Sequence, residues 1–204
     1  MSRAQTHTTL IDGPAGALEV ALADPGPERA GLAVVAHPHP LYGGTMDNKV
    51  VTTLARAFVE LNLAAVRFNF RGVGASEGAF DDGHGETDDL LAAARWAREA
   101  LGHHPPLTLA GFSFGGAIAA RAARRLHPRR LILVAPAVTR VPTPEVPEDT
   151  LVVHGELDDT VPLKDVLDWA RPQELPVLVV PGGEHFFHGR LHLLKRLVAA
   201  SWKS

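Results

Sequence analysis

Ser113 stands two residues from a glycine on either side, in Gly111-Phe112-Ser113-Phe114-Gly115. The apolar run Leu107 to Ala110 precedes it, and the Ala-rich stretch beginning at Ala117 follows. A strand that turns sharply into a helix crowds its own turn, so only glycine-sized neighbours fit, and the strain lifts the central residue above the sheet. A serine held there can be a nucleophile, with the first free N–H groups of the helix beside its hydroxyl. Serine is a weak nucleophile at neutral pH and needs a base that titrates near 7, which is histidine. His185, in Gly182-Gly183-Glu184-His185-Phe186-Phe187, is the candidate base, and Asp158, in His154-Gly155-Glu156-Leu157-Asp158-Asp159-Thr160, is the candidate carboxylate. A carboxylate accepting from one ring N–H fixes the histidine tautomer and stabilises the imidazolium formed as serine attacks a carbonyl.

The same reaction requires N–H donors for the developing oxyanion. One is the backbone of Phe114, the residue after the nucleophile. The other belongs to the loop His37-Pro38-His39-Pro40-Leu41-Tyr42-Gly43-Gly44, where proline leaves His39 and Leu41 as the available donors near its start. His39 is preferred, with Leu41 as the alternative.

Other readings of these residues compete. Ser113 could merely cap a helix, and Asp159 or Thr160 suits the cap of the helix after Asp158. His37, His39, His185 and His188 could gather a metal, but Glu184-His185-Phe186-Phe187-His188 is not the order His-Glu-x-x-His, and no metal is expected. Gly72-Val73-Gly74-Ala75-Ser76-Glu77 lacks the third glycine of a dinucleotide loop, so no cofactor is expected either.

The elements that must position these side chains alternate along the chain. Thr6 to Ile11 and Ala17 to Ala23 read as antiparallel strands about the turn Asp12-Gly13-Pro14. Buried strands are expected at Leu32 to Ala36, Leu63 to Phe70, Leu107 to Ala110, Leu131 to Ala135, Leu151 to Val153 and Pro176 to Val180. Helical spacing marks Asp47 to Glu60, Glu86 to Leu101, Ala117 to Leu126, Val161 to Arg171 and Leu191 to Trp202. Asp88 and Asp89 read as helix-start charges, and the basic run Arg121 to Arg130 reads as the solvated face and end of its helix. Strand–helix alternation implies an α/β fold, a mostly parallel sheet with helices on both faces. Ligands then collect at the carboxyl ends of the strands, where Ser113, Asp158 and His185 each fall in the order Ser, Asp, His. The connection Ala137 to Asp149 is kept extended by three prolines and is too short for a cap domain.

With 204 residues, 46% hydrophobic, the chain can bury one substantial core, and a single domain over 1–204 is expected. A net charge of −3 argues against nucleic acid as a partner and leaves a small molecule. No apolar run of membrane-spanning length and no apolar signal core occur, so a cytoplasmic protein without membrane contact is expected. The absence of cysteine removes disulfides and cysteine nucleophiles. Oligomeric state, a homodimer included, leaves no signal in the sequence.

The stretches His37 to Met46, Phe68-Asn69-Phe70-Arg71-Gly72-Val73-Gly74-Ala75-Ser76, Gly111 to Gly115 and His185 to His188 together resemble a small, cap-less, esterase-like bacterial subgroup of the α/β-hydrolases. The resemblance covers nearly the whole chain and implies a sheet of about eight strands with a Ser-Asp-His triad at Ser113, Asp158 and His185. It departs at Asn69, where many relatives have aspartate, which puts a structural ion pair there in doubt. The expected activity is hydrolysis of a short acyl ester. A thioesterase, peptidase or acyltransferase would use the same triad, and a non-catalytic binding module on this fold is the reading of a different class.

Overall fold

The computed structural model describes residues 5–102 and 105–202. Eight strands form one sheet: β1 (Thr6–Gly13), β2 (Gly16–Ala23), β3 (Gly31–Ala36), β4 (Leu63–Phe68), β5 (Leu107–Phe112), β6 (Arg130–Val134), β7 (Leu151–Gly155) and β8 (Val177–Val180). Their spatial order is β1-β2-β4-β3-β5-β6-β7-β8. β1 pairs antiparallel with β2, and β2 antiparallel with β4, while every pairing from β4 to β8 is parallel. The helices are α1 (Lys49–Glu60), α2 (His84–Ala100), α3 (Phe114–Leu126), α4 (Leu163–Ala170) and α5 (Leu191–Ser201). Among the described residues none is long and apolar enough to cross a membrane.

Side chains of a strand alternate between the two faces of the sheet, and the central strands are apolar on both. Val34, Leu109 and Leu133 pack with α2 and α3, whereas Ala33, Val35, Ala110 and Val134 pack with α1 and α5 on the other face. The longest connection, between β6 and β7, contains neither helix nor strand and forms no cap.

Several element ends differ from those expected, each because a side chain claims the backbone. Asn48 accepts from the Val50 N–H and caps α1, so that helix begins at Lys49, and Asp47 pairs with Arg67 instead. α4 begins only at Leu163, because Asp158 Oδ1 already accepts from the N–H groups of Thr160 and Val161 and holds them in a turn. Neither Asp159 nor Thr160 caps it; Pro162 stands at its N-cap position. α2 starts at His84, which moves Asp88 and Asp89 into its second turn. Asp88 pairs with Arg125, and buried Asp89 accepts from the backbone and guanidinium of Arg71. Their reading as helix-start charges is therefore incomplete: Asp89 ties the loop after β4 to α2.

Asn69 belongs to the same loop and carries no ion pair; its Nδ2 donates to Glu19 Oε2 at 2.6 Å and its Oδ1 accepts from the Met46 N–H. The basic run after Arg121 is divided among neighbours. Arg121 meets His84, Arg125 meets Asp88, and Arg130 lies 5.0 Å over the ring of Trp202.

Candidate active site

β5 delivers Ser113 at its carboxyl end, and α3 starts at the next residue. Ser113 has φ 56° and ψ −119°, a backbone conformation that costs a non-glycine residue about 1–3 kcal/mol. The surroundings enforce it. The Ser113 N–H donates to Val134 O on β6, and its carbonyl accepts from the N–H groups of Gly116, Ala117 and Ala137. A Cβ on Gly111 would stand 2.0 Å from Gly115 O, and one on Gly115 would stand 2.4 Å from His37 O. Both approaches are to backbone, which cannot swing aside, so both positions require glycine.

The side chains meet as the chemistry asks. Ser113 Oγ lies 3.1 Å from His185 Nε2, and His185 Nδ1 lies 2.7 Å from Asp158 Oδ2. Ser113, His185 and Asp158 are 7%, 3% and 7% exposed, so the chain of hydrogen bonds is shielded while the hydroxyl is still reachable. The loops that carry the last two side chains are tied together. Glu156 Oε2 accepts from the Gly182 N–H, the Leu157 N–H donates to Gly183 O, and Arg190 Nε donates to Gly182 O. Phe187, fully buried with φ 54°, turns the chain just beyond His185, whose ring packs 4.9 Å from that of Phe112 and edge-on to Phe186.

The candidate oxyanion turn is built on His37, whose positioning role sequence reasoning missed. Buried His37 Nδ1 donates to Pro38 O at 2.6 Å, and its Nε2 accepts from the Phe70 N–H at 3.0 Å. Both ring nitrogens are thereby used, in the neutral tautomer. In a planar trans peptide the N–H points away from the C=O, so fixing Pro38 O also fixes the His39 N–H. Among the described residues that N–H meets no protein acceptor, whereas the Leu41 N–H donates to His39 Nδ1 at 3.2 Å. The ring of His39 lies 4.9 Å from that of Phe114. The remaining histidine named above, His188, pairs with exposed Glu184.

A second histidine escapes sequence reasoning as a site component. His154 is fully buried under Asp158, with Nε2 2.9 Å from Val161 O and 3.5 Å from Asp158 Oδ2. Burial lowers its pKa and so favours the neutral ring, whose Nε2–H donates to Val161 O beside the carboxylate.

Burial lowers the His37 pKa to about 4 from an ordinary 6.5. The folded value lies below the unfolded one, so the unfolded chain takes up the proton first. The stability gained from a neutral His37 is complete above about pH 6.5 and is lost as pH falls toward 4. A cost of about 2–3 kcal/mol is expected between pH 7.5 and 4.5. Urea unfolding of the wild type and His37→Gln at both pH values checks this, and an equal loss in the two proteins would contradict it.

A cleft of about 100 Å³ opens beside Ser113 and His185, walled by Pro38, His39, Tyr42, Phe114, Ala137, Arg140, Thr160 and Phe186. A larger depression of about 490 Å³ lies at the amino ends of β6 and β7. Its hydroxyls are those of Thr150 and Ser201, neither of which meets a histidine or carboxylate among the described residues, Ser201 donating to Val198 O, so the smaller cleft is the better candidate for chemistry.

The family profile described as alpha/beta hydrolase fold matches residues 42–149. An uncharacterised protein of Rickettsia prowazekii is 32% identical over 191 residues, which cover 87% of this chain and 80% of the relative. A solved α/β serine hydrolase without lid from Xanthomonas campestris superposes with a TM-score of 0.89 at 41% identity, over 98% of this chain and 94% of the other. An α/β serine hydrolase homologue from Coxiella burnetii gives 0.86 at 44% identity, over 98% and 99%. Sequence and architecture agree, and the chain belongs to the alpha/beta hydrolase fold family.

Proposed function

We propose that the protein is a serine hydrolase that cleaves short acyl esters through an acyl-enzyme on Ser113. The observation that carries this reading is the unbroken relay from Ser113 Oγ through His185 to Asp158, at 3.1 and 2.7 Å. His185 Nε2 takes the hydroxyl proton as Oγ attacks the ester carbonyl, and Asp158 Oδ2 accepts from Nδ1–H and stabilises the imidazolium. The N–H groups of Phe114 and His39 receive the oxyanion, each worth roughly 3–4 kcal/mol to such a transition state. His185 next protonates the departing alkoxide, then draws a proton from water as that water attacks the acyl-serine, and returns it to Ser113 Oγ as the C–O bond breaks and the acid departs.

The cleft supports a small acyl group. Its volume is about 100 Å³. Apolar walls from Tyr42, Phe114, Ala137 and Phe186 suit an alkyl chain of a few carbons.

A fluorophosphonate probe followed by peptide mapping is expected to label Ser113 in the folded protein. p-Nitrophenyl acetate and butyrate should turn over faster than the decanoate, and faster than matched thioesters and anilides. Absence of label on folded protein would favour a binding module. Thioester turnover exceeding that of the ester at equal chain length would replace the esterase reading by thioesterase.

A further inference from the structure

We propose that Arg140 makes this cleft selective for esters that carry a carboxylate close to the scissile bond. The inference rests on the hydrolase reading above and names the substrate class for the same site. Among the described residues lining the cleft, Arg140 is the permanent cation, exposed at the edge of a lining otherwise formed by apolar, aromatic and small polar groups.

Its place is fixed relative to the nucleophile. The Ala137 N–H donates to the carbonyl of Ser113, and the N–H groups of Arg140 and Val141 return to Ala137 O, so the turn that presents Arg140 hangs from Ser113 itself. The guanidinium has one long contact, Nη2 to Thr160 O at 3.4 Å, and among the described residues no carboxylate lies within salt-bridge distance of it.

Three acidic groups near Arg140 are otherwise engaged, whereas exposed Asp82 has no hydrogen-bond or ion-pair partner among the described residues. Asp158 accepts from His185, Thr160 and Val161, Asp159 from the Thr160 hydroxyl, and Asp165 from the Thr139 hydroxyl. The charge nevertheless reaches across the cleft. Burial first and Arg140 second lower the pKa of His39, while Asp82 acts on that ring in the opposite sense.

A guanidinium offers five donors in a planar fork that matches a carboxylate with two parallel hydrogen bonds. One such group neutralises one charge. A phosphate monoester would bring a second charge of about −0.5 to −1 into an apolar slot without a partner, so a carboxylate fits better. Ser113 and Arg140 line the same small cleft, which places that carboxylate within a few bonds of the carbonyl attacked by Ser113.

The test compares isosteric pairs. Monomethyl glutarate against methyl valerate places the charge on the acyl arm, and O-acetyl glycolate against propyl acetate places it on the alcohol arm, with acid release followed by titration. For at least one pair, wild-type kcat/KM should favour the anion by about threefold or more, the effect of a charge pair that remains open to solvent. Arg140→Met should bring that ratio close to one, chiefly through the KM of the anion. Arg140→Lys should restore part of it, and added salt should weaken it in the wild type. Turnover of neutral esters with no preference in either pair, or a preference unchanged in Arg140→Met, overturns the proposal alone. No turnover of any ester together with no phosphonate label on Ser113 overturns the hydrolase reading and this inference with it.

Discussion

Ser113→Ala is expected to lower kcat for p-nitrophenyl acetate by at least about 10,000-fold, because removal of the nucleophile leaves only binding and oxyanion stabilisation. The fold should survive the change. The Ser113 hydroxyl meets His185, while the elbow is held by the backbone bonds to Val134, Gly116, Ala117 and Ala137, which alanine retains. Alanine at φ 56° is no more strained than serine, so the midpoint of thermal unfolding should move little. Circular dichroism on the same preparation used for steady-state kinetics separates lost chemistry from lost structure. A variant that keeps most of the wild-type rate would remove Ser113 from the mechanism.

Asp158→Asn should cost about 10,000-fold in kcat, while Asp159→Asn should change it by less than about threefold. The geometry explains the contrast between adjacent carboxylates. In the Asp158→Asn variant, the side-chain carbonyl can still accept from the N–H groups of Thr160 and Val161, so the amide nitrogen is turned toward His185. An amide N–H there requires Nδ1 as acceptor, which moves the ring proton to Nε2 and deprives Ser113 of its base. Asp159 is exposed and, among the described residues, accepts only from the Thr160 hydroxyl at 3.3 Å. Parallel kinetics of the two variants decide the point. A larger loss for Asp159→Asn would show that the wrong carboxylate has been placed in the triad.

The elbow and its partners are legible in the sequence because each lies where a local pattern ends. Ser113 sits between glycines that a backbone approach of about 2 Å makes obligatory, and Asp158 and His185 follow the short apolar runs that form β7 and β8. The strands are legible for the same reason, since short apolar runs bounded by turn residues mark β3 to β8, although Leu63 to Phe70 overshoots β4 by two residues and Leu151 to Val153 falls two short of β7. What the sequence hides depends on long-range contacts. His37 meets the Phe70 N–H from 33 positions away, and Asp89 closes on Arg71 from 18, separations at which composition and periodicity say nothing. The helix after Asp158 reads two residues early because the pattern of Val161 and Pro162 is that of a helix start, whereas the Asp158 carboxylate claims the N–H groups involved. Arg140 falls within a proline-interrupted stretch that reads as mere connection, and its carbonyl-anchored turn appears only in three dimensions.

Tyr42 and Phe186 stand exposed at the cleft, Tyr42 by 77%, and the β6–β7 connection forms no helix or strand to cover them. In enzymes whose catalytic cycle waits on a moving flap, opening and closing often set the pace. Under the proposed mechanism, no cap among the described residues has to open before the alcohol departs or water reaches the acyl-serine. Turnover is then expected to report acyl transfer at Ser113 instead of a gating step.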